Sequence, residues 1–193
     1  MTKEELDGDR VFVIREFLSP AECAELICQS KELGWEPGTV GGAVIDGVRN
    51  NDRILFDDQS LAADLFHRAQ PALPAMIDGR TIVGFNERWR FYRYGPGQTF
   101  KPHRDGVSYR FAAREESRVT FMVYLNDQMT GGETRFYGSM EEAFSGHPYL
   151  STQPEQGTAL VFVHDIWHEG AVVESGQKYV LRTDVMYGRP TKP

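Results

Sequence analysis

Cysteine is scarce in this sequence: Cys23 and Cys28 are the two among 193 residues, which excludes a disulfide framework. They lie five residues apart on a strongly signalled helix, too far from each other for an intrachain bridge. Both read as small residues facing the core or its edge. Also missing is any apolar run near the roughly 20 residues needed to span a bilayer. The opening MTKEELDGDR has no apolar centre of the kind a secretory signal carries. Basic charge is in deficit, with 21 Lys and Arg against 28 Asp and Glu and a formal net charge of −7. Proteins that live on phosphate backbones usually carry a net basic face, so no nucleic-acid partner is expected. Nor is a membrane partner. The oligomeric state is not legible. The expectation is a soluble, cytoplasmic chain with one domain spanning 1–193, since roughly 150 residues make a typical domain. A chain of this size can bury a sufficient core without disulfides or a structural metal.

Punctuation along the chain divides it near residue 80. The first part opens with an apolar strand, Val11–Ile14, then a helix with Ser19 as N-cap, Pro20 at the first helical position and Glu22 completing a capping box. That helix runs through Ala21–Leu33 and stops at Gly34. Residues 36–52 are rich in glycine and polar turn formers and read as a surface loop. A second helix covers about Leu61–Arg68, its Leu61, Leu65, Phe66 and Ala69 forming one apolar face. A third, short helix is expected after Pro71, ending near Met76. From Thr81 onward, short segments rich in Val, Phe, Tyr and Thr alternate with glycine and proline turns. They are Trp89–Tyr94, Thr99–His103, Val119–Leu125, Thr134–Phe136, Tyr149–Thr152, Ala159–Val163 and Tyr179–Tyr187. Strands at this spacing without intervening helices predict a sandwich or jelly-roll. The expected fold is therefore mainly β with N-terminal helices (α+β). Residues 1–80 supply supporting helices and a loop, and 81–193 a jelly-roll core whose mouth can hold a ligand or metal.

Five histidines occur, at 67, 103, 147, 164 and 168. Two have informative neighbours. His103 and Asp105 stand at i and i+2, which on a strand would point them to one side. His168 follows the apolar segment Ala159–Val163, and a closed sheet can bring it to face that pair. Two imidazoles and a carboxylate on one face form the facial triad of non-haem iron(II) oxygenases. Three protein ligands leave three positions open, enough for a chelating 2-oxoacid and dioxygen. A bare HxD…H is weak on its own. His164, four residues before His168, is expected to be a surface imidazole or to stand behind the ligands, while His67 and His147 lack supporting context.

The surrounding blocks strengthen the signal. Tyr94-Gly-Pro-Gly-Gln-Thr-Phe-Lys-Pro-His103-Arg-Asp105-Gly106, Thr120-Phe-Met-Val-Tyr-Leu-Asn-Asp127, Gly131-Gly-Glu-Thr-Arg-Phe136 and Gly157-Thr-Ala-Leu-Val-Phe162 stand in order, followed by His168-Glu-Gly and Gly176-Gln-Lys178. Over about residues 88–187 this resembles the iron(II)/2-oxoglutarate dioxygenases of the prolyl 4-hydroxylase type. The resemblance implies a double-stranded β-helix core and an oxidoreductase that hydroxylates a C–H bond. Its implied cofactors are Fe(2+), 2-oxoglutarate and O2, with ascorbate as an accessory. It implies His103, Asp105 and His168 as metal ligands and catalytic centre, and Lys178 as the cation for the distal carboxylate of 2-oxoglutarate. A dicarboxylic cosubstrate needs such a fixed cation away from the metal. Arg182 is the alternative clamp, being four residues on along a strand and better suited to bidentate pairing. Tyr94 matches a tyrosine beside the cosubstrate, although a half-buried strand aromatic explains it too; Tyr124 could line the same pocket or simply fill the core. Asp105 favours hydroxylation over halogenation, because related halogenases carry a small residue there.

The substrate is not named by the sequence. Prolyl residues of a peptide or protein are the first expectation. A free amino acid or other small metabolite is the alternative, and a non-catalytic module that binds a ligand or senses iron or oxygen is the third reading. Loops 36–52 and 106–117 are candidate lids; Arg110 and Arg114 in the second could meet an anionic substrate or merely pair with Glu115 and Glu116.

Overall fold

A computed structural model describes residues 1–39 and 48–189. Two sheets face each other, and two helices cover the outer face of the larger one. The long run in the larger sheet is Thr2–Asp7, Val11–Arg15, Ala159–Val163, Glu115–Tyr124, Lys178–Gly188, Arg88–Tyr94, Asp52–Asp57 and Glu36–Pro37. The smaller sheet is Leu150–Thr152, Thr134–Tyr137, Trp167–Gly170 and Phe100–His103, all antiparallel. This is a jelly-roll with N-terminal helices.

Strand alternation sorts residues into two cores. From Val11–Arg15, Phe12 and Ile14 face the helices, while Val11 and Val13 face the opposite sheet. From Lys178–Gly188, Tyr179, Leu181 and Val185 join the helical side. Val180 joins the inter-sheet side, and this parity puts Lys178, Val180 and Arg182 together on the inner face. Trp89, Phe91 and Phe121 fill the helical core and are fully buried. Against it pack helices Pro20–Leu33 and Gln59–Ala69 through Cys23, Leu26, Ala62 and Leu65. Of the two cysteines, Cys23 is buried and Cys28 exposed.

The first helix starts as its capping signals require: Ser19 Oγ accepts from the Glu22 amide at 3.2 Å and the Glu22 carboxylate accepts from the Ser19 amide at 2.7 Å. The third predicted helix is absent. Gln70–Ala72 makes one 3-10 turn, Leu73 is extended at φ −84° and ψ 147°, and Met76–Ile77 pairs as a strand. Pro74 explains this, because a proline disfavours helical backbone in the residue before it. Elements not expected from sequence are the edge strand Thr2–Asp7, the pair Met129–Gly131 with Val173–Gly176, and a short helix Met140–Ser145 capped by Ser139.

Residues 40–47 of loop 36–52 lie outside the described residues. Its described ends hold strand Glu36–Pro37 and the buried Arg49, whose guanidinium lies 4.6 Å from the Tyr92 ring and 4.4 Å from Phe100. Segment 106–117 is a hairpin rather than an open loop: Tyr109 and Arg110 pair with Glu116 and Glu115. No helix among the described residues is long and apolar enough to cross a membrane.

Candidate metal centre and cosubstrate pocket

His103 is the last residue of strand Phe100–His103, and His168 lies on the adjacent strand Trp167–Gly170 in direct register with it. Their ring centroids are 4.3 Å apart. Asp105 is not on the strand. The ladder ends at His103, so the expected i, i+2 strand geometry does not place the carboxylate. Side chains from other strands do: Thr120 Oγ1 donates to Asp105 Oδ2 at 2.5 Å, and Arg182 Nη2 lies 2.9 Å from the same oxygen. Asp105 then stands 3.8 Å from His103 Nε2 through Oδ1 and 3.6 Å from His168 Nε2 through Oδ2. One ligand atom from each residue lies within 4.8 Å of the others.

The donor set suits a divalent iron ion. His103 Nδ1 is 2.8 Å from the Lys101 carbonyl oxygen and His168 Nδ1 is 3.1 Å from that of Ile166. A carbonyl only accepts, so both rings carry their proton on Nδ1 and turn the Nε2 lone pair toward Asp105. Burial, with the neighbouring His168, pushes His103 down to about 3; burial also lowers His168. Both imidazoles are therefore neutral at ordinary pH, the form that ligates a metal. Burial works against the Asp105 carboxylate, but the Arg182 guanidinium holds it ionised below its usual range. Phe100 stacks on His103 at 3.6 Å and Phe162 lies 4.5 Å from His168, fixing both rings on their apolar sides.

The triad closes one end of a narrow cavity of about 40 Å³, also lined by Tyr94, Thr134, Lys178 and Arg182. The two cations in it are placed differently. Arg182 is committed to carboxylates, Asp105 at 2.9 Å and Asp184 at 3.2 Å, and its Nη1 donates to Tyr92 Oη at 3.3 Å. Lys178 is 2 % exposed and donates to the Gly132 carbonyl at 2.6 Å, its ammonium 5.5 Å from the Tyr94 ring and 5.2 Å from Tyr124. Burial pulls its pKa down to about 7. Gly131 and Gly132 have φ of +72° and +75°, a left-handed turn that presents this carbonyl. Tyr94 pairs in register with Lys178 and is buried, which raises its phenol pKa. Tyr124 Oη is taken up by Thr134 and Thr152.

The remaining candidates separate cleanly. Arg110 is held by Glu115 at 3.0 Å and by Glu87. His67 and His147 are exposed. His164, expected at the surface or behind the ligands, is 5 % exposed. Thr120 and Asp184 were not singled out from sequence. Thr120 had a signal in retrospect, as a polar residue on the inward parity of an apolar strand with Met122 and Tyr124.

A family model for the 2OG-Fe(II) oxygenase superfamily matches residues 89–183. Prolyl 4-hydroxylase 1 of Arabidopsis thaliana is 26% identical over 197 residues, covering 88% of this chain and 66% of its own length. Probable prolyl 4-hydroxylase 3 of the same plant is 27% identical over 176 residues, covering 79% and 58%. The chain thus spans less than two thirds of the length of these curated relatives. Among solved structures, the viral collagen prolyl hydroxylase of Paramecium bursaria Chlorella virus-1 in its 2OG complex aligns with a TM-score of 0.62, at 23% identity over 96% of this chain and 99% of that one. A Pseudomonas putida prolyl-4-hydroxylase aligns at 0.64, with 21% identity over 91% of each chain. A Trichoplax adhaerens prolyl hydroxylase bound to a hypoxia inducible factor peptide aligns at 0.69, with 15% identity over 93% and 84%. The fold, the blocks around both histidines and the matched region agree: the chain is similar to the 2OG-Fe(II) oxygenase superfamily and, within it, to prolyl 4-hydroxylases.

Proposed function

We propose that the chain is an iron(II)- and 2-oxoglutarate-dependent hydroxylase whose substrate is a prolyl residue in a peptide or protein. The observation that carries this is one cavity holding both halves of the chemistry: a triad with its Nε2 atoms freed for a metal, and the buried Lys178 ammonium on the same inner face. His103, Asp105 and His168 would hold the metal. When bound, iron(II) supplies the redox centre at which decarboxylation of 2-oxoglutarate to succinate and CO2 is coupled to putting one atom of dioxygen into a C–H bond.

The chain's own residues bind and orient. Lys178 neutralises the distal carboxylate of 2-oxoglutarate, and the Gly132 carbonyl keeps its ammonium aimed along the cavity. Tyr94 walls that end and excludes water. Arg182 is then not the clamp but a brace, holding Asp105 Oδ2 together with Thr120 so that the carboxylate needs no reorganisation to ligate. The prolyl substrate follows the relatives, and a peptide-bound solved structure shares the fold.

The test is turnover. Purified protein with iron(II), ascorbate and 2-oxoglutarate should release succinate faster when a proline-containing peptide is added, and the peptide should gain one oxygen atom in mass. Succinate release stimulated by free amino acids and by no peptide would transfer the reading to a small-metabolite hydroxylase. No stimulated turnover of either kind would defeat both.

A further inference from the structure

On the far side of Asp105 lies a second cavity, a groove of about 470 Å³ that shares Asp105 alone with the triad pocket. Its size is that of a small-ligand site. Its floor holds an anomaly. His164 is 5 % exposed, yet neither ring nitrogen has a hydrogen-bond partner among the described residues; its nearest charged neighbour, Asp184, is 3.7 Å from Nε2. Arg118 Nε, in the same groove, is buried and equally unpartnered. Such groups are rare in folded proteins, because each forgoes hydrogen bonds it had with water.

The convergence has a backbone cause. Val119 pairs with Val163, and the His164 amide donates to the Arg118 carbonyl at 3.0 Å, so the two side chains emerge beside each other where the sheet ends. A bulge between Ser117 and Val119 against strand Lys178–Gly188 breaks the ladder at Arg118, the kind of irregularity that re-aims a side chain next to a site.

The groove's charges are balanced, Arg10, Arg104 and Arg118 against Asp78, Asp105 and Asp165, but not evenly paired. Arg10 is matched by Asp7 at 3.4 Å, and Arg118 by Glu116 and by Asp78 at 3.6 Å. Asp165 also lines the groove. Arg104 has no ion pair among the described residues; it precedes Asp105 in the chain, and its guanidinium lies 5.2 Å from the ring of Trp167, which precedes His168. The groove therefore holds two buried hydrogen-bonding groups and one unmatched guanidinium together with the metal-binding carboxylate.

We infer that this groove is a subsite for a carboxylate carried by the primary substrate, received by Arg104 at its mouth above the unpartnered nitrogens of His164 and Arg118 in its floor. The inference rests on the hydroxylase reading, because it needs the occupant to be the molecule presented to the triad. It narrows the substrate to one with a carboxylate close to the target carbon: an acidic residue beside a proline, or the carboxylate of a free amino acid.

The experiment uses the full chain loaded with zinc(II) and 2-oxoglutarate, with the histidine ring nitrogens followed by NMR. The probes are acetyl-Pro-Asp-amide, its neutral isostere acetyl-Pro-Asn-amide, and free L-proline. The acidic dipeptide should shift the His164 resonances at about tenfold lower concentration than the isostere, the worth of one charge-assisted contact. Arg104→Ala, at an exposed position, should reduce that preference to below about threefold. A response to L-proline in place of the dipeptide assigns the carboxylate to a free amino acid and supports the subsite. Equal responses to acidic and neutral dipeptides, no response of His164 to any carboxylate probe, or an unchanged preference in Arg104→Ala would overturn it. The hydroxylase reading fails separately, if wild-type protein gives no anaerobic charge-transfer band with iron(II) and 2-oxoglutarate.

Discussion

Lys178 is a lysine with almost no water, and its behaviour follows from that. Burial brings its pKa to about 7 before 2-oxoglutarate binds, so near pH 7 it has already begun to lose its charge. A dicarboxylate favours the charged form, so the pKa rises when 2-oxoglutarate binds. Between the empty and bound values the complex holds one more proton than its components, and affinity must fall as pH rises. Calorimetry should show 2-oxoglutarate binding weakening by up to about tenfold per pH unit above pH 7. Lys178→Arg should flatten that slope, since a guanidinium stays charged. Lys178→Ala should weaken binding by about 2–5 kcal/mol, the range for removing one partner of a buried charge pair. Arg182→Ala predicts a different signature. Because Arg182 braces Asp105 rather than the cosubstrate's far end, metal affinity should drop roughly 10–100-fold. If Arg182→Ala instead reproduced the Lys178→Ala loss of 2-oxoglutarate affinity with metal binding intact, the two roles would be exchanged.

At the scale of elements, the helix start and one glycine carry the clearest expectations. Ser19→Ala removes half of a reciprocal capping box and should lower stability by about 1 kcal/mol in urea melts. Gly157 sits at φ +78°, and a Cβ there would run into the Leu18 carbonyl. Gly157→Ala should cost more than about 2 kcal/mol, combining left-handed backbone with a clash. Much of this level was legible in the sequence, because caps, prolines and β-alternation act locally. Ser19, Pro20 and Glu22 announce their helix whatever surrounds them. His103, Asp105 and His168 were legible for another reason: they sit in a run of spaced blocks. What escaped depends on register across distant strands. Thr120 and Arg182 reach Asp105 because Thr120 pairs with Asp184 across two neighbouring strands, and no local pattern states that pairing. His164 escaped likewise, since its burial is set by Arg118 on a partner strand. The helix expected after Pro71 fails for a local reason, since Pro74 holds Leu73 in extended backbone.

For the whole molecule, the two cores are packed by side chains other than the triad. Phe121, Trp89 and Leu181 pack against the helices, and Phe136, Phe162 and Val180 fill the space between sheets. The triad stands at the end of the second core and holds its own rings on backbone carbonyls. Chelating the metal should therefore leave the fold and its circular dichroism intact. Joint loading with iron(II) and 2-oxoglutarate should add about 2.7 kcal/mol at a hundredfold excess over Kd. The net charge of −7 makes the cations of the site local features in an acidic chain, Lys178 within the cavity and Arg104 at the groove beside it. The most direct measurement is the visible absorption of purified protein titrated anaerobically with iron(II) and then 2-oxoglutarate. A metal-to-ligand charge-transfer band should appear in the wild type and be lost or strongly weakened in Asp105→Ala and His168→Ala. A folded wild-type protein that gives no band would contradict the assignment of His103, Asp105, His168 and Lys178 to one iron and 2-oxoglutarate site.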